Sequence, residues 1–175
     1  MKTLLSEEEL EAGVARMASE IAASYRERPL TIVGVLTGSI VLLADLIRQL
    51  DMSLRVGVLQ ASSYRSGTTR GELTINSEMM LDVAGRDILV VDDIFDTGHT
   101  LVEVVAKLNE LAPTSVKTAV LLRKHGRQEV DFRPDFVAFD IPDEFVVGYG
   151  LDYADQYRHL RDLVVLEPDD LASDK

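Results

Sequence analysis

The segment 88–101 constrains the fold more than any other part of this 175-residue chain. Its sequence is Ile-Leu-Val-Val-Asp-Asp-Ile-Phe-Asp-Thr-Gly-His-Thr-Leu. Its four leading apolar residues predict a buried strand over Ile88–Val91, which ends at the adjacent acids Asp92 and Asp93. A short loop of small polar residues follows, and apolar residues at helical spacing predict a helix over Leu101–Leu111. Acids and a small-residue loop delivered to a helix N-terminus form an anion site beside a site for hydroxyls or a metal ion, which suits a sugar phosphate.

Strands and helices alternate along the rest of the chain, which predicts an α/β domain with a mainly parallel central sheet flanked by helices. A capping box, Ser6 to Glu9, predicts the start of a first helix that ends near Tyr25. A second helix is predicted over Gly38–Leu50, with these apolar residues mostly inward: Ile40, Leu43, Leu46, Ile47 and Leu50. Further strands are predicted over residues 30–36, 54–60, 73–81, 116–122 and 136–139, and a loop over 61–72.

Length and composition limit the class of protein. The 175 residues fit one domain, 1–175, with a tail after about residue 168 that we expect to be frayed. No apolar run is long enough to span a bilayer and the N-terminus is unlike a secretory signal, so we expect a cytoplasmic protein with no membrane partner. The absence of cysteine excludes disulfides, thiolate zinc sites and a cysteine nucleophile. The net charge of −12 argues against nucleic-acid binding.

The loop Asp96-Thr97-Gly98-His99-Thr100 has the groups that bind a terminal phosphate. It combines backbone amides, two hydroxyls and the positive end of a helix, and Gly98 lets the main chain approach a ligand closely. An ordinary helix start capped by Thr97 or Thr100 is compatible with the same residues. We predict a phosphate site here.

The whole segment around Asp92 and Asp93 resembles the signature with which type I phosphoribosyltransferases bind phosphoribosyl pyrophosphate: four apolar residues, two acids, two apolar residues, then Asp-Thr-Gly-x-Thr. The side chains of the two acids point to opposite sides of the strand, where they can accept hydrogen bonds from ribose hydroxyls or surround Mg²⁺. The resemblance favours ribose binding by both, and it implies the type I fold with a small hood built from terminal segments. It also makes Asp96 the candidate general base, which takes a proton from N7 of a purine as N9 attacks.

The segment Val35–Ile40 resembles the pyrophosphate loop of the same family, in which a strand ends in Leu-Lys-Gly-Ser or Leu-Lys-Gly-Gly, often with a cis peptide after the leucine. The resemblance implies that Leu36, Thr37 and Gly38 bind pyrophosphate. Thr37 stands where the family usually has Lys or Arg, so the backbone amides remain but a cationic side chain does not. From the residues alone, a plain strand-to-helix turn explains this segment equally well.

Residues 62–71 are polar and rich in glycine and serine, which is typical of a surface loop. Ser63 and Tyr64 match the Ser-Tyr pair of the family's mobile catalytic lid. The resemblance implies that they close over the reacting centre, where exclusion of water protects an oxocarbenium-like ribosyl carbon.

A second resemblance lies in the C-terminal third, where residues 133–153 are similar to the purine-binding end of the hypoxanthine-guanine phosphoribosyltransferases. It implies that Lys124 donates to the purine 6-oxygen, a choice that favours a carbonyl acceptor over the amino group of adenine. It also implies that Phe145 stacks on the base and that Val146 bonds the base through its backbone. By the same resemblance, Asp152 binds a second Mg²⁺ and places a carbonyl near the 2-position of the base, and Arg158 reaches the pyrophosphate. Taken alone, Phe145 and Val146 are typical core residues, and Asp152 and Arg158 a typical surface pair.

Together the two resemblances imply a purine-salvage enzyme, a pentosyltransferase that joins phosphoribosyl pyrophosphate to N9 of a 6-oxopurine. They imply Mg²⁺ as cofactor, with Asp92, Asp93 and Asp152 as candidate ligands, and a homodimer or homotetramer. One alternative is a phosphoribosyltransferase for a pyrimidine or adenine, against which Lys124 and residues 145–152 argue. The other is a regulatory protein of this fold that senses phosphoribosyl pyrophosphate and binds nucleic acid, against which the net charge of −12 argues.

Overall fold

The computed structural model describes residues 1–26, 28–63, 73–76, 82–167 and 170. Strands and helices alternate as the sequence predicts, with additional short strands near both ends of the chain. The elements are β1 Lys2–Leu5, α1 Glu7–Tyr25, β2 Leu30–Leu36, α2 Ile40–Gln49, β3 Leu54–Ser63, β4 Leu73–Asn76, β5 Asp87–Phe95, α3 His99–Asn109, β6 Ser115–Lys124, β7 Phe136–Ile141, β8 Val146–Val147 and β9 Leu163–Val165.

A six-stranded sheet with the order β4-β3-β2-β5-β6-β7 forms the centre of the molecule. All neighbouring strands are parallel except β3 and β4, which are antiparallel. This arrangement confirms the predicted α/β class and the mainly parallel sheet. The long apolar runs of β2 and β5 follow from it, because a central parallel strand is covered by helices on both faces.

Alternate residues of β5 show how the two faces are covered. Leu89 and Val91 pack in a core cluster with residues of α1 and α2. Ile88 and Val90 point the other way and pack with α3. Both layers therefore fix β5 in place, and the acids at its end inherit that rigid position.

A small antiparallel sheet with the order β1-β9-β8 joins the two ends of the chain. It is the hood of terminal segments that the sequence resemblance implies. The amide of Glu7, in the first turn of α1, donates to Asp162 Oδ1 at 2.8 Å and ties this hood to the helix layer. Within the described ranges, no helix is both long and apolar enough to cross a lipid bilayer.

Several predicted boundaries are wrong by two or more residues. The second helix begins at Ile40 rather than at Gly38, and Ile40 itself is 48% exposed. Strand β3 continues to Ser63, through residues predicted as loop, because its last residues pair with β4. Strand β5 continues through both acids to Phe95, which pairs with β6. Helix α3 begins at His99, two residues before the predicted start.

Candidate active site

A cavity of about 350 Å³ lies at the carboxyl edge of the central sheet. The ends of two adjacent parallel strands form most of its wall, as the general rule for ligand sites in such sheets leads us to expect. The wall consists of residues 35–38 at the end of β2 and just after it, residues 92–98, 100 and 101 from the end of β5 to the start of α3, Ala61, and Asp152 and Arg158 from the segment between β8 and β9.

The acids Asp92 and Asp93 occupy the floor of this cavity. Asp92 is buried, and its Oδ1 accepts from the amide of Asp93 at 3.0 Å. Asp93 is half-buried, and its Oδ1 accepts from the amide of Ile94 at 2.7 Å. Burial and the neighbouring Asp93 charge raise the pKa of Asp92 well above its usual range. Burial also raises the pKa of Asp93, although the amide of Ile94 and the charge of Arg158 oppose that rise.

Burial of Asp92 lowers the free energy of unfolding by an amount that depends on pH. Because the folded-state pKa of Asp92 is raised, the folded state binds its proton more readily than the unfolded state, and the free energy of unfolding falls as pH rises from about 4. In metal-free buffer, Asp92→Asn is therefore expected to raise Tm by a few degrees at pH 8 and to leave it unchanged near pH 4. Thermal denaturation across pH measures this. A variant that melts below the parent at pH 8 would contradict it.

The pyrophosphate-loop candidates meet the acids directly. Gly38 packs so closely on Asp93 that a Cβ atom at position 38 would overlap its Oδ2. The peptide bond between Leu36 and Thr37 is cis. Leu36, Thr37 and Gly38 all line the cavity.

The predicted phosphate loop forms the opposite wall. Gly98, with φ of 91°, is the N-cap of α3, and a Cβ there would come within 2.8 Å of the Phe95 ring. Because this cap has no side chain, the cap hydrogen bonds predicted for Thr97 or Thr100 are absent at this helix start. Thr97, Gly98 and Thr100 line the cavity, but His99 does not. The His99 imidazole lies 2.8 Å from Glu129 Oε2 instead.

A second cavity, of about 220 Å³, adjoins the first. It is lined by Lys124 at the end of β6, by Phe145, Val146 and Leu151, and by four residues that it shares with the first cavity, Asp93, Ile94, Asp96 and Asp152. Phe145 is 48% exposed, and its ring meets the edge of Tyr153 at 5.6 Å between centroids. An aromatic ring left half in solvent beside a cavity is available to stack on a planar ligand.

Asp96, which lines the second cavity, belongs to a cluster of four charged side chains with Lys124, Arg127 and Asp143. Arg127 Nε donates to Asp96 Oδ1 at 3.0 Å, and Lys124 Nζ lies 3.7 Å from Asp96 Oδ2. Asp143 Oδ1 lies 3.5 Å from Lys124 Nζ and 3.7 Å from Arg127 Nε. The hydrogen bond to Asp96 raises the pKa of the Arg127 guanidinium. The sequence analysis did not identify Arg127 or Asp143 as site residues. The only sequence signal for Arg127 is that it is a cationic residue three positions after the end of β6, at the edge of the sheet where ligands bind.

Arg158 lines the first cavity beside Asp152, which lines both cavities. Its Nη2 lies 2.8 Å from Asp152 Oδ1, and its Nη1 donates to the carbonyl of Gly150 at 2.7 Å. The sequence left open whether Asp152 and Arg158 are a surface pair or part of a binding site. Both residues lie in the wall of the first cavity. Asp152 and Arg158 are both about 70% buried, with side-chain exposures of 30% and 28%.

The acids predicted as metal ligands fit a Mg²⁺ site that substrate oxygens and water would complete. In the part of the chain that the structure describes, no three or more histidine, cysteine or acidic residues are grouped as a metal site. Asp92, Asp93 and Asp152 are thus not a ready-made cage. Mg²⁺ is commonly held by one or two carboxylates together with substrate oxygens and water, and Asp93 and Asp152, which line both cavities, fit that mode.

Except for His99, the residues predicted to bind phosphate, ribose, pyrophosphate and purine line two adjoining cavities. The catalytic lid lies outside what can be described: Tyr64 is not among the described residues, and for Ser63 only the backbone, at the end of β3, is described.

Comparisons with known proteins agree with this geometry. The sequence model of the phosphoribosyl transferase domain matches residues 1–154. Hypoxanthine-guanine phosphoribosyltransferase of Aquifex aeolicus is 41% identical over 169 residues, which are 95% of each protein. Hypoxanthine phosphoribosyltransferase of Haemophilus influenzae is 40% identical over 161 residues, 90% of each. The structure of a Trypanosoma cruzi hypoxanthine phosphoribosyltransferase variant, complexed with its product IMP, gives a TM-score of 0.91 at 37% identity, covering 98% of this chain and 93% of that one.

The fold, the acid-tipped strand and the domain match define the class: the chain belongs to the phosphoribosyl transferase family. Its similarity over nearly its whole length is to the hypoxanthine(-guanine) phosphoribosyltransferases, the branch to which it belongs.

Proposed function

We propose that this protein transfers the phosphoribosyl group of phosphoribosyl pyrophosphate to N9 of a 6-oxopurine and releases pyrophosphate. The observation that carries the proposal is the pair of adjoining cavities with a shared wall of Asp93, Ile94, Asp96 and Asp152. One cavity has a phosphate-type loop and the other an aromatic ring and a lysine. A sugar phosphate and a planar base bound in them would meet at the shared wall.

The base cavity favours a purine with an oxygen at position 6. The Lys124 ammonium has three donors and no acceptor, so it can bind O6 of hypoxanthine or guanine but not the 6-amino group of adenine. It lies only 10% exposed at the end of β6, beside Asp96 and Asp143. Phe145 can stack on the ring, and the backbone of Val146 can bond its edge.

Asp96 is positioned to act as general base. In the proposed reaction the bond between C1′ and the pyrophosphate oxygen breaks, and pyrophosphate leaves with the electron pair. The bond from N9 to C1′ forms, and the proton on N7 passes to a carboxylate oxygen of Asp96. Asp96 Oδ2 faces Lys124 in the base cavity, so the same edge of the purine would contact both side chains.

The other residues hold the sugar and its leaving group. Backbone amides and hydroxyls of residues 97–100 would bind the 5′-phosphate, and Asp92 and Asp93 the ribose hydroxyls. Residues 36–38 and Arg158 would bind the pyrophosphate, and Mg²⁺ held by substrate oxygens with Asp93 and Asp152 would neutralise its charge. Closure of Ser63 and Tyr64 over the centre stays a prediction.

Three coarser properties complete the proposal. We propose a single domain over 1–175, which the length of the chain supports. We also propose a cytoplasmic location and a homodimer or homotetramer, and the resemblance to the family supports the oligomer. Size-exclusion chromatography with light scattering would measure the oligomeric state.

The test is nucleotide formation from phosphoribosyl pyrophosphate with hypoxanthine, guanine, xanthine, adenine and uracil in turn, with Mg²⁺ and with EDTA. We expect Mg²⁺-dependent product with 6-oxopurines and none with adenine or uracil. Product with adenine or a pyrimidine alone would support the other branch of the family. No product with any base, together with retention on RNA at moderate salt, would support a regulatory protein.

Replacing Lys124 with alanine is expected to raise KM for hypoxanthine about 10- to 100-fold, because a hydrogen bond from a charged donor contributes roughly 1.5–3 kcal/mol. KM for phosphoribosyl pyrophosphate should change little, since Lys124 does not line the phosphate cavity. Steady-state kinetics with each substrate varied in turn measure both constants. Lys107→Ala, at an exposed position of α3, is the matched control. An unchanged KM for hypoxanthine would contradict the assignment.

A further inference from the structure

The segment from Arg127 to Val130, which we call the clip, contacts four successive residues of the phosphate loop. Arg127 Nε donates to Asp96 Oδ1 at 3.0 Å, and the amide of Glu129 donates to the carbonyl of Thr97 at 3.0 Å. Val130 packs beside Gly98, where a Cβ would come within 2.5 Å of its Cγ2, and Glu129 pairs with the His99 imidazole at 2.8 Å. Three residues of the clip, Arg127, Glu129 and Val130, therefore make these contacts with the phosphate loop.

The clip is itself fixed in shape. The side-chain amide of Gln128 donates to the carbonyl of Val130 at 2.6 Å and to that of Phe132 at 2.7 Å. The Phe132 ring lies 6.2 Å from the ring of Phe95, the last residue of β5. Arg127 is thus presented from a backbone that is attached to the same strand end as Asp96, and not from a free loop.

The contact with Arg127 gives the two carboxylate oxygens of Asp96 different surroundings. Oδ1 is occupied by Arg127 Nε, whereas Oδ2 lies on the side of Lys124 and the base cavity. A carboxylate on a loop can rotate, and a general base must lie within hydrogen-bond distance of the proton that it takes. Because Arg127 holds Oδ1, Oδ2 is directed to the base cavity.

The contact has little value for stability. Asp96 is 36% exposed and Arg127 45% exposed, and solvent and salt screen an ion pair in such a position. Removing the Arg127 charge should therefore leave the folded protein intact, which makes its effect on turnover measurable.

We propose that Arg127 is a positioning residue for phosphoribosyl transfer: by holding Asp96 Oδ1, it directs Oδ2 to N7 of the bound base. Asp143 Oδ1 lies near both cations, 3.5 Å from Lys124 Nζ and 3.7 Å from Arg127 Nε. The inference rests on the proposed function of Asp96 as the base.

The test is Arg127→Gln, with Arg127→Lys and Arg133→Gln alongside it. We expect Arg127→Gln to lower kcat about tenfold, since a displacement of about 1 Å of a reacting group can cost up to 10²-fold. KM for phosphoribosyl pyrophosphate should stay within twofold of the parent value. Tm should stay within about 1 °C of the parent, because solvent screens the ion pair of Arg127 with Asp96. Arg127→Lys should recover part of kcat. Arg133 is an exposed arginine of the same connection, so Arg133→Gln should resemble the parent.

A double-mutant cycle separates positioning from a merely structural role. If Arg127 acts through Asp96, Arg127→Gln should lower kcat no further in the Asp96→Asn background. Equal losses in both backgrounds, an unchanged kcat, or a raised kcat in the single variant would each overturn the inference. Absence of activity in the parent would instead refute the proposed function, so the two failures are distinguishable.

Discussion

Asparagine in place of Asp96 is expected to lower kcat with hypoxanthine by about 10²- to 10³-fold, within the range that general-base catalysis contributes. The amide cannot accept the N7 proton, so the purine must attack without losing it. The shape of the side chain is almost unchanged, and Arg127 can still donate to the remaining carbonyl oxygen. The loss should therefore appear in kcat and not in the fold.

Two further measurements make this result specific. Calorimetry should show IMP bound at least as tightly as in the parent, because the asparagine amide can donate to the unprotonated N7 of the nucleotide. Asp131→Asn, which removes an exposed carboxylate after the clip, should leave kcat unchanged. Near-normal turnover by Asp96→Asn would show that another group, or water, takes the proton.

Alanine in place of Gly150 is expected to disturb both stability and pyrophosphate binding. Gly150 has φ of 98°, and a Cβ there would overlap the carbonyl oxygen of Gly38 in the pyrophosphate loop. The left-handed conformation and the forced contact together cost about 3 kcal/mol, which lowers Tm by roughly 6–12 °C for a domain of this size. KM for phosphoribosyl pyrophosphate should rise as well, because residues 36–38 must shift and Arg158 bonds the carbonyl of Gly150.

Gly85 provides the matched control for this variant. It also has a positive φ, 67°, but no atom lies within 4 Å of a Cβ built there, so Gly85→Ala should cost only the backbone strain of about 1–2 kcal/mol. KM for phosphoribosyl pyrophosphate should not change. If Gly150→Ala and Gly85→Ala had the same Tm and the same KM, the close approach of Gly150 to the pyrophosphate loop would have no functional importance.

Long apolar elements were predictable from the sequence because their periodicity extends over many residues. Strand β2 was predicted with its observed bounds, and α1 was placed by its capping box, which the structure contains. The hood strands β8 and β9 have two and three residues, too few for any periodicity to show. The family resemblance implied a hood of terminal segments, but these two strands were not predicted.

Polar strand ends were the main source of error. Asp92 and Asp93 continue β5 because β6 supplies hydrogen-bond partners as far as Phe95, and a single sequence does not show the partner strand. Ser62 and Ser63 continue β3 for the same reason, through pairing with β4. In the site, the segment 96–100 indicated which backbone would meet an anion. The contact of the His99 imidazole with Glu129, thirty residues away, is a tertiary contact that no local pattern reveals.

The central claim is that the two adjoining cavities hold the two halves of one nucleotide, and a crystal structure of the protein with bound IMP tests it most directly. We expect the phosphate at the amides of residues 97–100, the ribose against Asp92 and Asp93, and O6 within hydrogen-bond distance of Lys124 Nζ. Both cavities empty at saturating IMP, or the hypoxanthine ring bound away from Lys124 and Phe145, would contradict the account.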